Sequence, residues 1–190
     1  MFIWSAINPK DYFVWFLEAL PAILGLIIIS YCYVRKKFIF TSFSCLFILI
    51  HAIILMIGAH YTYSEVPLFN WLKDIFDLER NNYDKVGHFA QGFVPALLAR
   101  EILIRCDILK NKNWMFFIII CICLAISSCY EILEWIAACV SGDSADAFLG
   151  LQGYSWDTHS DMFFALLGAV VFLVLFSKIQ DKYFIRRLNL

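Results

Sequence analysis

The run "WMFFIIICICLAISSCYEILEWIAACV", Trp114 to Val140, is apolar almost throughout, yet it carries Glu131 and Glu134 near its end. It is longer than the roughly 20 apolar residues that cross a bilayer core of about 30 Å. Residues three apart lie on one side of a helix, so the two carboxyl groups share a face. In a soluble helix that face would be the wet one. In a segment this long and apolar it lies in or near lipid, where an ionisable side chain is expensive and by default functional.

The rest of the chain supports the lipid setting. Of its 190 residues, 62% are hydrophobic and 16% charged, and its mean hydropathy is +0.75. A water-soluble domain of this size needs far more polar surface. The expected fold class is therefore all-α, a polytopic bundle of about five transmembrane helices, with residues 1–190 forming one integral membrane domain. The bilayer is its first partner, and nothing in the composition points to a nucleic acid. The N-terminal "MFIWSAI" lacks a basic flank and is soon interrupted by "NPKD", so no secretory signal is expected. Seven cysteines lie mostly inside apolar runs and form no CxxC pair, which argues against a disulfide framework.

Five spans are read: Val14 to Val34, Phe38 to Ala59, Val86 to Ile104, Trp114 to Val140, and Asp157 to Ile179. Between the second and third, "PLFNWLKDIFDL" has apolar residues at helical spacing with acids between them, the pattern of a short interfacial helix. Arg35 to Lys37, the Arg105–Lys112 loop and the tail hold ten of the fifteen basic residues. The Ser141–Ser160 segment has none. That asymmetry predicts an outer N-terminus and a cytoplasmic C-terminus.

Depth follows from counting inward. Glu131 lies seventeen residues from Trp114, His88 seventeen from Arg105, and Asp161 seventeen from Lys178. At 1.5 Å per residue each stands about 26 Å from the cytoplasmic boundary. Asp84 and His88 are spaced i,i+4, as are Asp157 and Asp161, so each pair shares a face. Close carboxylates in a low dielectric need a proton or a cation, here Lys85, Arg80 or a metal. His88, Glu131, Asp161 and Asp84 are the metal-ligand candidates, with zinc, manganese or magnesium as the ion. Glu134 and Asp157 are the candidate general bases. The structural alternative is that these groups only lock helices together by hydrogen bonds. His60 is a lesser candidate, and Glu18 reads as interfacial. Arg100 and Glu101 read as paired or snorkelling groups. The segment "SGDSADAFLGLQGYSWDTHSD" is amphipathic through Ala147, Phe148, Leu149, Leu151 and Trp156, which suits a lid that Asp146 would bring toward the acids.

The stretches "RNNYDKVGHFAQGFVPALLAREIL" and "YEILEWIAACVSGDSADAFLGLQGYSWDTHSDM" resemble the YjdF family of bacterial inner-membrane proteins, as does "HAIILMIGAHYTYSEVPLFNWLKDIF". The likeness covers nearly the whole chain. It implies a multi-span protein of the bacterial inner membrane and brings no activity, since the family's domain is one of unknown function. The Asp84-Lys85-x-x-His88-Phe89 core is also similar to a DKxxHF pattern of VanZ-like membrane proteins. Family members often have an acid where Tyr154 stands and Gln where His159 stands, which favours His88 over His159 as a ligand.

Three functions fit these residues: a metal-dependent enzyme acting on a lipid or lipid-linked substrate, a proton- or ion-coupled transporter, and a structural or partner-binding membrane protein. The topology is testable without choosing among them. In a cysteine-free background, a cysteine at position 110 should resist an impermeant reagent added outside, and one at position 155 should react. Outside labelling at position 110 rejects the orientation.

Overall fold

The computed structural model describes residues 1–141 and 152–188, and every regular element among them is helical. Helix α1 is Phe2–Ser5, α2 Tyr12–Val34, α3 Ser42–Tyr61, α4 Pro67–Phe76, α5 Tyr83–Arg105 and α6 Lys112–Ser141. Helix α7, Asp157–Val171, passes through a π turn at Phe172–Phe176 into α8, Ser177–Leu188. The lid expected from Asp146, Ala147, Phe148, Leu149 and Leu151 lies outside the described residues.

Local chemistry sets the helix ends. Asp11 caps α2 by accepting from the Phe13 and Val14 N–H groups at 2.7 and 3.0 Å. Asn81 accepts from Tyr83 N at 3.0 Å to open α5, and Asn111 accepts from Asn113 and Trp114 to open α6. Helix α4 begins on Pro67, where a missing N–H costs nothing, and ends at Asp77 in the left-handed region. Helix α3 starts at Ser42, four residues later than the hydrophobicity of Phe38 suggests. The reason is Thr41, whose hydroxyl accepts from Ser44 N at 3.3 Å while its own N–H donates to Glu101 at 2.8 Å. Glu101 is fully buried and also binds the Thr41 and Ser44 hydroxyls and Arg105. The carboxylate thereby caps a helix sixty residues away in sequence.

Among the described residues, four helical stretches are long and apolar enough to cross a membrane: Tyr12–Val34, Ser42–Tyr61, Lys112–Val140 and Asp157–Phe184. Their surfaces expose Leu26, Ile27, Leu49, Phe117, Leu133 and Val174, as lipid-facing helices do. Helix α5 has 23 residues, about 35 Å, so it is long enough to be the fifth crossing. Its charged residues keep it less apolar than the other four.

Contacts divide the chain into two compact units. One comprises Met1–Ile39, Ala52–Gly87 and Leu133–Asp157; the other comprises Phe40–His51, His88–Ile132 and Thr158–Leu190. The first has its core at Ala19, Met56 and Ala59, packed by Trp15, Leu55 and Ile23. Tyr63 fills the notch between Gly58 and Gly87, where any Cβ would strike its ring. Glu18, expected at the interface, is buried instead and accepts a backbone hydrogen bond from Tyr63.

The second unit is built on Phe93, Leu97, Ile119, Cys123, Ala169 and Phe172. The Phe93 ring meets those of Phe47, Phe172 and Phe176 at centroid distances of 5.0, 5.3 and 5.1 Å. Within it, α5 and α7–α8 run side by side in the same direction. Gly92 lies against the Ala165 carbonyl, Gly168 against the Phe89 carbonyl and Phe93 N, and Gln180 reaches the Leu97 carbonyl at 3.0 Å. Farther along, Arg100 binds Gln180 and Asp181 at 2.8 and 2.7 Å. Small residues let backbones approach this closely, which is how helices adhere in lipid without a hydrophobic driving force.

A Cβ at Gly168 would meet a carbonyl oxygen, whereas one at Gly25 would meet open space. Gly168→Val should therefore cost about 1–3 kcal/mol by overpacking. Gly25→Ala should be neutral or slightly stabilising. Melting in detergent checks both, and a parent-like midpoint for Gly168→Val would refute the close approach.

Candidate metal centre

Among the described residues, each unit holds a polar cluster. In the first unit Asn81 is the organiser. Its side chain donates to the Val66 carbonyl at 3.1 Å and to Asn70 Oδ1 at 2.7 Å, while Gln152 forms a double hydrogen bond with its backbone, both at 2.9 Å. These bonds bring the Gln152–Asp157 segment back onto the start of α5. Asp157 Oδ1 accepts from Arg80 Nη1 at 2.6 Å and from Lys85 Nζ at 2.8 Å. Asp84 pairs with Arg80, and its other oxygen accepts from Lys85 N at 2.8 Å. The Tyr154 ring lies 5.4 Å from the Arg80 guanidinium and 5.9 Å from Lys85 Nζ. All four charged groups are buried, two of each sign. Such a network stands only if every member is satisfied, because losing one partner leaves a buried charge.

The second cluster lies in the other unit. His88, Glu131 and Asp161 are buried, and one ligand atom from each lies within 4.8 Å of the others. His88 Nδ1 stands 3.8 Å from Glu131 Oε1, and Nε2 stands 3.8 Å from Asp161 Oδ2. His88 and Asp161 meet because the α5–α7 contact through Gly92 and Ala165 sets their level; α6 supplies Glu131. The Tyr130 ring closes one side, edge-on to the imidazole at 6.2 Å.

Gln91, which the sequence reading missed, fixes the imidazole. Its Oε1 lies 2.9 Å from His88 Nδ1. In the tautomer where Nδ1 donates to that oxygen, Nε2 presents its lone pair on the Asp161 side. A ligating histidine is commonly held this way, its second nitrogen tied to an acceptor. The signal was available: Gln91 is three residues after His88 and therefore on the same helical face. Ser127, one turn before Glu131, is fully buried, and its hydroxyl has no hydrogen-bond partner among the described residues. An orphaned buried hydroxyl is costly.

One imidazole nitrogen and two carboxylates form a donor set suited to a divalent ion with open positions. Bonds of about 2.1 Å place donors roughly 3.4 Å apart in a tetrahedral site, against separations within 4.8 Å here.

The remaining sequence candidates are distributed as follows. Asp84 and Asp157 are engaged by Arg80 and Lys85. Glu134 is half-buried on α6, in the unit that does not contain Glu131. His159 is exposed. His60 stacks on Trp4 at 4.4 Å and meets the Ser5 carbonyl through Nδ1 at 3.2 Å, so its ring is taken up by the N-terminal segment.

Comparison with known proteins agrees with the membrane fold. A family model described as a predicted membrane protein, DUF2238, matches residues 1–182. The inner membrane protein YjdF of Escherichia coli (strain K12) is 43% identical over 185 residues, covering 96% of this chain and 88% of that protein. No solved structure matches. The chain is a multi-pass membrane protein of the YjdF (DUF2238) family.

Proposed function

We propose that the protein is a metal-dependent enzyme of the bacterial inner membrane, acting on a lipid or lipid-linked substrate. The proposal rests on the convergence of His88, Glu131 and Asp161 within 4.8 Å, with Gln91 2.9 Å from His88 Nδ1 to orient the ring. An imidazole nitrogen favours zinc or manganese over magnesium, which prefers oxygen ligands and water. A divalent ion there would polarise a phosphoryl or acyl oxygen and acidify water. The chain's own groups provide the remaining functions. The candidate general bases Glu134 and Asp157 belong to the other unit, and Asp157 is held by Arg80 and Lys85. Burial of the triad limits water access and raises the strength of each electrostatic contact. The inner-membrane location rests on the name of the E. coli relative. The outer N-terminus rests on the basic-residue asymmetry.

One feature favours a second reading. The two nitrogens of His88 face different carboxylates, which is also the arrangement of a proton relay.

Metal content separates the two. Protein purified without chelators should carry about one equivalent of zinc or manganese. Glu131→Gln and Asp161→Asn should lose it while keeping their fold, because each retains shape and removes charge. Gln91→Ala should weaken metal affinity about 10–100-fold. Full occupancy in both carboxylate variants would defeat the metal reading. A metal-free parent whose carboxylate variants abolish pH-dependent proton uptake in vesicles would establish the relay instead.

A further inference from the structure

Helix α4 carries a feature that the metal centre does not use. At 100° per residue, Leu68, Trp71 and Ile75 fall within an arc of about 60°, and Phe69, Asn70 and Lys73 point the opposite way. The second face is docked. Phe69 meets the Tyr83 ring at 5.2 Å, Asn70 accepts from Asn81 at 2.7 Å, and Lys73 is half-buried. The first face is bare: Leu68, Trp71 and Ile75 are each more than half exposed.

Three observations identify what covers it. Helix α4 is linked to the end of α3, a membrane span finishing at Tyr61, by one short turn, so connectivity places it at a bilayer boundary. A tryptophan among aliphatic side chains is the composition that settles at the lipid headgroup level. The exposed apolar side chains of this ten-residue helix, Phe76 included, are also too few for the roughly 800 Å² per partner that a stable protein interface buries. The exposed acids Asp74, Asp77 and Glu79 border the helix, with Lys73 turned inward, so the fringe is negative. That charge repels anionic headgroups, unlike the basic fringe of surface-seeking helices.

We propose that Leu68, Trp71 and Ile75 are seated in the acyl-chain edge of a zwitterionic phospholipid interface, making α4 a lipid-anchored platform for the start of α5. The reading is independent of the metal centre.

The test uses the full chain reconstituted in phosphatidylcholine vesicles whose acyl chains carry bromine. The difference between parent and Trp71→Phe isolates the emission of Trp71. That component should be quenched by bromine, resist aqueous iodide, and persist when phosphatidylglycerol is added. Ile75→Asp should shift it to the red and reduce bromine quenching. Quenching by iodide alone would show a water-facing helix and overturn the proposal. Resistance to both quenchers, with a cysteine at position 68 cross-linking between copies, would assign the face to a second copy and overturn it too. So would unchanged Trp71 emission in Ile75→Asp, or loss of folding in Trp71→Phe, since either places Trp71 against protein.

Discussion

The backbone contact between α5 and α7 is the constraint on which the second unit depends. Gly92 against the Ala165 carbonyl, and Gly168 against the Phe89 carbonyl, bring the two helices closer than any pair carrying side chains at those positions. Once that register is set, His88 and Asp161 stand at one level, Phe93 enters the ring of Phe47, Phe172 and Phe176, and Gln180 reaches the Leu97 carbonyl. The π turn at Phe172–Phe176 follows the tightest part of the contact. A π turn adds a residue without breaking the helix, so it resets which face α8 presents to α5. The lower polar contacts of Arg100 can then form.

Charge is treated differently in the two polar clusters. In the first, Arg80 and Lys85 balance Asp84 and Asp157, each carboxylate holding both cations. That arrangement fastens a returning segment to a helix start. In the second, the His88 imidazole faces two carboxylates, a donor set that suits a divalent cation. Sequence spacing put Asp84 with His88 and Asp157 with Asp161. Of each i,i+4 pair, the first member belongs to the cationic network and the second to the histidine cluster.

Much of the fold was legible because lipid imposes a simple rule on composition: spans must be long, apolar and helical. Span positions, the amphipathic α4 and the matched depth of His88, Glu131 and Asp161 all follow from counting. Three features did not. The late start of α3 depends on Glu101, sixty residues away, and hydrophobicity cannot register a remote cap. Glu18 looks interfacial by position, yet the Tyr63 segment folds over it. Gln91 carries no charge, so a search for ionisable groups passes it by although its spacing from His88 was visible.

Helix α5 also bears on how the chain enters the membrane. A helix carrying Asp84, Lys85, His88, Arg100, Glu101 and Arg105 is a poor substrate for lateral release into lipid by itself. Its buried polar groups find partners partly on elements made later: Gln180 and Asp181 for Arg100, Asp157 for Lys85. Those partnerships are complete only once the last helix has been synthesised. The polar groups of α5 are thus satisfied only in the company of neighbours made after it.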